Sequence, residues 1–164
     1  MPGGLSSMIL FLRAREIREN NMARGDSLFV DTSGWAYLVD RHDPLHSSVN
    51  TIYQHTVVQH RLLVTTNYII AELVALLSSR SRIPRQQIFT FIDTLKIAPH
   101  VEIIHIDKAL DAEAWALLKS RADKQWSLVD ASSFALMNRY SMTEVLTTDH
   151  HFTQAGFVRL PDPH

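Results

Sequence analysis

From Ser27 onward the chain alternates short apolar, β-branched runs with longer segments of helical periodicity, and this alternation narrows the fold more than any other feature. Ser27 to Val30 reads as a buried strand, and Pro44 opens a helix carrying Leu45, Val49, Ile52, Tyr53 and Val57 at helical spacing. Leu62-Leu-Val-Thr65 is the next strand; Asn67 caps a helix through Leu77, and Pro84 opens another to about Leu95. Val101-Glu-Ile-Ile-His-Ile106 is the clearest β segment. Asp107 then caps a helix with Leu110, Ala114, Trp115, Leu117 and Leu118 on its apolar side, and a further helix covers Leu128 to Arg139. Glu144 to Thr147 reads as a strand, His150 to Ala155 as a helical turn or two, and Phe157 to Leu160 as a last strand. A helix between successive strands returns the chain to the same end of the sheet, so the strands run parallel and helices cover both faces. The expected fold is α/β, a three-layer α/β/α sandwich around a central, mostly parallel sheet.

A chain of 164 residues with 46% hydrophobic and 20% charged residues is expected to form one globular domain, here residues 27–164. Residues 1–26 differ from the rest: Gly3-Gly4 and Ser6-Ser7 precede a charged stretch through Arg18-Glu-Asn-Asn21. They read as an N-terminal extension, either flexible or a short helix, and Met22 offers an alternative start. The apolar run Met8-Ile-Leu-Phe-Leu12 is far shorter than the roughly 18 residues of a membrane span, so neither a signal peptide nor a membrane helix is expected. The absence of cysteine excludes disulfides and thiolate zinc sites and suits the cytoplasm. With a net charge of −1, any nucleic-acid ligand has to be held by a local basic patch.

Four carboxylates stand in distinctive settings: Asp31 in Phe29-Val-Asp-Thr-Ser33, Glu72 inside an apolar helix, Asp130 in Trp126-Ser-Leu-Val-Asp130, and Asp149 in Leu146-Thr-Thr-Asp149. Asp31 and Asp149 each follow a short β-rich run, and Glu72 and Asp130 each sit near the start of a helix that follows such a run, where α/β sheets gather ligand groups. Brought together, they would repel strongly unless protonated or joined by a cation, and oxygen donors of this kind favour Mg²⁺ or Mn²⁺. Each also has a plainer reading. Asp31 fits a turn residue, and Asp149 a cap for the helix at His150. Ser127-Leu-Val-Asp130 matches the pattern in which a serine cap and a residue three later satisfy each other's backbone donors. Glu72 shares its helical face with Tyr68, Ile69, Ala75 and Leu76, so a buried carboxylate there needs a cation or hydrogen-bond partners.

Thr32, Ser33, Ser127 and Asp123 are the candidates to support these carboxylates, Asp123 also fitting a solvated loop residue. His42 and His46, four apart beside Asp43, form a weak zinc pair that lacks a third clear ligand, and His150 and His151 read as surface residues. Arg80 and Arg82, with Arg85, and Lys124, with Lys119 and Arg121, are solvated cations or contacts to substrate phosphates.

Taken together, Phe29-Val-Asp-Thr-Ser33, Ala71-Glu72-Leu73, Trp126-Ser-Leu-Val-Asp-Ala-Ser-Ser-Phe134 and Leu146-Thr-Thr-Asp-His-His-Phe152 resemble the PIN-domain family, and within it the VapC-type toxin ribonucleases. The resemblance runs from about Ser27 to Leu160. It implies a metal-dependent endoribonuclease using Mg²⁺ or Mn²⁺, with Asp31, Glu72, Asp130 and Asp149 at the family's acidic positions and Thr32 or Ser33 as the small polar residue after the first aspartate. It also implies RNA as substrate, a small antitoxin as partner and a homodimer. A non-catalytic RNA- or partner-binding module on the same fold is the alternative. A receiver-like phosphoacceptor domain is disfavoured, because an acidic pair at the first strand is missing.

Overall fold

The computed structural model describes residues 24–80 and 82–162, together with Met8, Ile9 and Leu12. Five strands, β1 Leu28–Val30, β2 Leu63–Thr66, β3 Val101–Ile104, β4 Glu144–Leu146 and β5 Val158–Leu160, form one sheet in the order β3-β2-β1-β4-β5, with every neighbouring pair parallel. β1 and β2 are buried along their whole length, as central strands covered on both faces must be. Among the described residues seven helices accompany them: α1 Thr32–Val39, α2 His46–Val58, α3 Asn67–Ser78, α4 Arg85–Ile97, α5 Lys108–Ser120, α6 Leu128–Arg139 and α7 His150–Gln154.

The chain steps from β1 through β2 to β3 at one edge, then returns past β1 to β4 and β5. Right-handed crossovers turn this reversal into a division of the helices, with α1 to α4 on one face and α5 to α7 on the other. Packing follows it: α1 lies on α2 and α3, α3 on α4, α5 on α6 and α6 on α7. The three-layer expectation is the observed architecture, with all five strands parallel.

Each face has its own aromatic centre. Trp35 of α1 is fully buried, meets Tyr53 and Phe91 edge-on, and donates from Nε1 to Thr65 Oγ1 at 3.1 Å; that hydroxyl donates in turn to the Val30 carbonyl at 2.9 Å. The polar atom of the indole is thereby satisfied inside the core, and burial of a large apolar side chain contributes roughly 1.5–3 kcal/mol. On the opposite face Phe134 packs edge-on against Trp126 at 4.9 Å and Phe152 at 5.0 Å. Gly34 lets α1 press onto β4, since a Cβ at this position would lie 2.4 Å from the Leu146 carbonyl oxygen.

Helix α1 adds to the elements expected from sequence. Its eight residues are too few to reveal a period, and Thr32-Ser-Gly34 at its start has the composition of a turn. Thr66, rather than Asn67, caps α3 by accepting the Ile69 N–H at 3.1 Å. Asn67 instead accepts the Ile106 N–H at 2.7 Å, which draws the chain away from the sheet and ends β3 at Ile104. Asp107 caps α5 as expected, accepting from the Leu110 N–H, but Trp115 is exposed and no part of the helix's apolar side. The expected N-terminal extension lies outside the described residues apart from Met8, Ile9, Leu12 and the 3₁₀ turn Arg24–Asp26. That turn belongs to the domain: Arg24 pairs with Glu102 at 2.8 Å and stacks 4.4 Å over the Tyr140 ring.

Candidate active site

Strand order reverses between β1 and β4, and at such a point the connections leave in opposite directions and open a crevice beyond the strand ends. Asp31 follows β1 and Asp149 lies three residues beyond β4, so both stand at that crevice. Glu72 comes to it from α3 on one face, Asp130 from α6 on the other.

Asp31 is 6% exposed and sits at the N-cap position of α1, yet its side chain makes no capping hydrogen bond. The turn-and-cap reading therefore does not account for this carboxyl group. It accepts from the Thr147 hydroxyl at 2.9 Å. Burial pushes its pKa up to about 7, opposed by the Thr32 backbone N–H and the Thr147 hydroxyl and assisted by the charges of Glu72 and Asp130. The last two contributions place all three carboxylates within one electrostatic neighbourhood.

Glu72 differs from its sequence expectation, since its side chain is exposed. The buried stripe of α3 runs through Ile69, Leu73 and Leu77, and Glu72 lies about 100° off Leu73 around the helix. The neighbours that suggested burial do not enclose it, because Ala75 is exposed and Leu76 half-buried. The Thr32 hydroxyl donates to Glu72 Oε2, which ties α3 to the residue after Asp31.

Asp130 and Asp149 both cap helices, as their plainer readings held. Ser127 and Asp130 form a capping box, with the Ser127 N–H donating to Asp130 Oδ2 at 2.8 Å and the Asp130 N–H to Ser127 Oγ at 3.0 Å. Asp149 Oδ1 accepts the His151 N–H at 2.9 Å. In each case a single oxygen does this work. The other oxygens, Asp130 Oδ1, Asp149 Oδ2 and Glu72 Oε1, take no hydrogen bond from the described residues. Nor are they buried: Glu72 is an exposed residue, and as for the two aspartates, Ser27 Oγ is the sole buried side-chain polar atom without a partner among the described, non-exposed residues.

Thr147, which sequence reading passed over, and His151, which it read as a surface residue, join these carboxylates. The Thr147 hydroxyl lies 2.9 Å from both Asp31 Oδ2 and Ser33 Oγ and accepts the Asp149 N–H at 3.0 Å; Ser33 Oγ also accepts the Thr148 N–H at 3.1 Å. His151, half-buried rather than on the surface, puts Nδ1 3.1 Å from Asp130 Oδ2 and 3.5 Å from Asp149 Oδ1. A threonine two residues before a strand-end aspartate and a histidine two after it were the available signals. His150 fits the surface reading, its side chain being 68% exposed.

Other candidates lie apart from this network. Asp123 is 59% exposed and bound to Arg121 and Lys124, whose hydrogen bonds and charges hold its carboxyl below the usual value; no bond joins it to the four carboxylates. Arg80 and Arg82 converge on Asp40, at 3.2 and 2.5 Å, beyond the far end of α1 and roughly 12 Å of helix rise from Asp31. Asp40 is 2% exposed; burial raises its pKa, but the hydrogen bonds from Arg82 and the His42 backbone, with both guanidinium charges, bring it below the usual value. These two arginines neutralise a buried acid, a role absent from their reading as solvated or phosphate-facing cations. His46 Nδ1 is 2.8 Å from the Tyr37 carbonyl, and the described group of His and acidic residues with three mutually close ligand atoms is Asp149-His150-His151, not His42 and His46.

The model of the PIN domain family matches residues 28–158, a span that contains all four carboxylates. The chain belongs to the PIN-domain family. This PIN domain is 27% identical over 133 residues to the 23S rRNA-specific endonuclease VapC20 of Mycobacterium tuberculosis, covering 81% of this chain and 97% of that protein. The crystal structure of M. tuberculosis VapC20, described as a sarcin-ricin loop cleaving toxin, matches with a TM-score of 0.71 and covers 80% of this chain and 97% of that one. The PIN fold alone is shared with VapBC2 of Rickettsia felis bound to a promoter DNA fragment, at a TM-score of 0.58, 14% identity and coverage of 80% and 96%. FitAcB of Neisseria gonorrhoeae gives a TM-score of 0.57, 16% identity and coverage of 80% and 95%.

Proposed function

We propose that this PIN domain is a divalent-metal-dependent endoribonuclease, the toxin of a toxin–antitoxin pair, acting on structured ribosomal RNA. The observation that carries the reading is the gathering of Asp31, Glu72, Asp130 and Asp149 at the strand-order reversal, in a chain that matches an rRNA-specific endonuclease along 97% of that relative. The donor set fits Mg²⁺ or Mn²⁺: hard oxygens, one of each carboxylate oriented by the protein and a second one unbuttoned on Asp130, Asp149 and Glu72. Asp31 and Asp130 are assigned as direct ligands, Glu72 as ligand or orienter of water, and Asp149 as a further ligand or an outer hydrogen-bond partner.

When bound, such an ion lowers the pKa of water and screens charge on the scissile phosphate. The chain's own residues do the rest. Thr147 and Ser33 fix Asp31 and the turn leading to Asp149, Thr32 aims Glu72, and Ser127 locks Asp130 into one rotamer. Carboxylates held by protein hydrogen bonds need no reordering when an ion arrives, which is the advantage of preorganisation. Lys124 and Arg121, in the segment ahead of α6, are proposed as contacts to the RNA backbone. An antitoxin partner, a homodimer and a cytoplasmic setting belong to the same proposal. Among the described residues no helix is long and apolar enough to cross a membrane.

The test is cleavage of a 23S rRNA stem-loop by wild type, Asp130→Asn and Glu72→Gln, each with Mg²⁺, with Mn²⁺ and with EDTA. Cutting by wild type alone, lost in EDTA and reduced at least 100-fold in both variants, is expected. Equal cutting by all three proteins would sink the site assignment. Bound but uncut RNA would favour the non-catalytic module.

A further inference from the structure

We infer that His151 is a positioning residue of the acidic centre, clasping Asp130 and Asp149 together across two helix N-termini; this rests on the cleft being a metal centre. Two hydrogen bonds leave the same residue. The backbone N–H of His151 donates to Asp149 Oδ1 at 2.9 Å, and its Nδ1 lies 3.1 Å from Asp130 Oδ2. The carboxylates come from separate helices, α6 and α7, and His151 connects them by direct bonds.

The chemistry fixes which way the ring bond runs. An ionised carboxylate only accepts, and Nδ1 faces two of them, Asp130 Oδ2 at 3.1 Å and Asp149 Oδ1 at 3.5 Å, so Nδ1 carries a proton and donates it. The ring also shares its acceptor atom with the capping box: Asp130 Oδ2 takes both the Ser127 N–H at 2.8 Å and the His151 ring. Two donors on one oxygen pin the carboxylate and leave Oδ1 without a hydrogen bond from the described residues. Outer hydrogen bonds of this kind orient the groups that hold a metal, and their loss typically weakens metal binding about 10- to 100-fold. His151 is packed for the task, with 18% of its side chain exposed, whereas neighbouring His150 has 68% exposed and bonds to neither helix in this way.

The experiment is calorimetric titration of Mn²⁺ into the full-length, metal-free protein without RNA, comparing wild type, His151→Ala and His151→Asn, with circular dichroism to verify folding. Asparagine places an amide N–H close to where Nδ1 stands. The expected result is a dissociation constant about ten-fold or more weaker for His151→Ala, with His151→Asn within about three-fold of wild type. Ring ¹⁵N chemical shifts of His151 in the wild type supply a second readout and should show a proton on Nδ1. Equal Mn²⁺ affinity in wild type and His151→Ala, or a ring with no proton on Nδ1, overturns the inference while leaving the metal centre standing. A wild type that takes up no Mn²⁺ overturns both.

Discussion

An aspartic acid whose pKa is near 7 keeps its proton over the range in which the same residue in an unfolded chain has lost it, and Asp31 is such a group. Below the ordinary value of 3.8 both states hold the proton and the group has no effect on stability relative to the acid form. Between 3.8 and about 7 the unfolded chain releases it and the folded one does not, so stability falls as pH rises through this window and levels off above it. Asp31→Asn removes the ionisable group. The metal-free variant should therefore be more stable than metal-free wild type at pH 8, by roughly 2–4 kcal/mol, and the gap should close toward pH 4. Urea midpoints of both proteins across that range measure it; a constant gap would show that Asp31 does not titrate as described. Excess Mn²⁺ should reverse the order at pH 8, since the ion binds the ionised form. At this scale the sequence singled out four acids that the fold brings to one crevice and did not show what holds them. Glu72 looked buried because its neighbours are apolar, but the stripe of α3 passes beside it; Thr147 and His151 are hinted at only by their spacing about Asp149, because their partners Asp31 and Asp130 arrive from distant turns of the chain.

Helix α1 does two jobs at opposite ends. Its first residues stand behind the carboxylates, with Thr32 on Glu72 and Ser33 on Thr147, while Asp40 closes its last turn under Arg80 and Arg82. Removing the partners of a buried charge leaves it desolvated and uncompensated, typically a loss of several kcal/mol, which the partial exposure of both arginines reduces. Arg80→Ala combined with Arg82→Ala should destabilise the fold by about 2–4 kcal/mol, read as a lower urea midpoint at neutral pH. A change below about 0.5 kcal/mol would mean that Asp40 is solvated instead. The element least legible in the sequence was this one: eight residues beginning Thr-Ser-Gly show no repeating pattern, and the need for a glycine arises from the Leu146 carbonyl, more than a hundred positions away. The strands and the longer helices were legible because each is amphipathic or wholly buried on its own terms, whereas the ends of α3 and β3 depended on a contact between Asn67 and Ile106.

For the whole molecule, a net charge of −1 provides no general attraction to a polyanion, so RNA has to be held by few contacts. Binding to a single-stranded or looped RNA should show a shallow salt dependence, a slope of log K against log salt of roughly −1 to −2, for one to three neutralised phosphates. Lys124→Ala should make that slope shallower by about 0.7 without altering the effect of EDTA on cleavage, as fluorescence anisotropy in 50–300 mM KCl would reveal. An unchanged slope would remove Lys124 from the RNA path.

The reversal of strand order has one more consequence. Asp31, Glu72, Asp130 and Asp149 are spread over most of the chain and meet only after β4 has settled beside β1 and α7 has formed. A growing polypeptide holds Asp31 and Glu72 for 58 further residues before Asp130 is added and for 77 before Asp149. On the proposed activity, the cutting site is withheld until the last of the four acids has been added, and topology supplies a delay that needs no inhibitor.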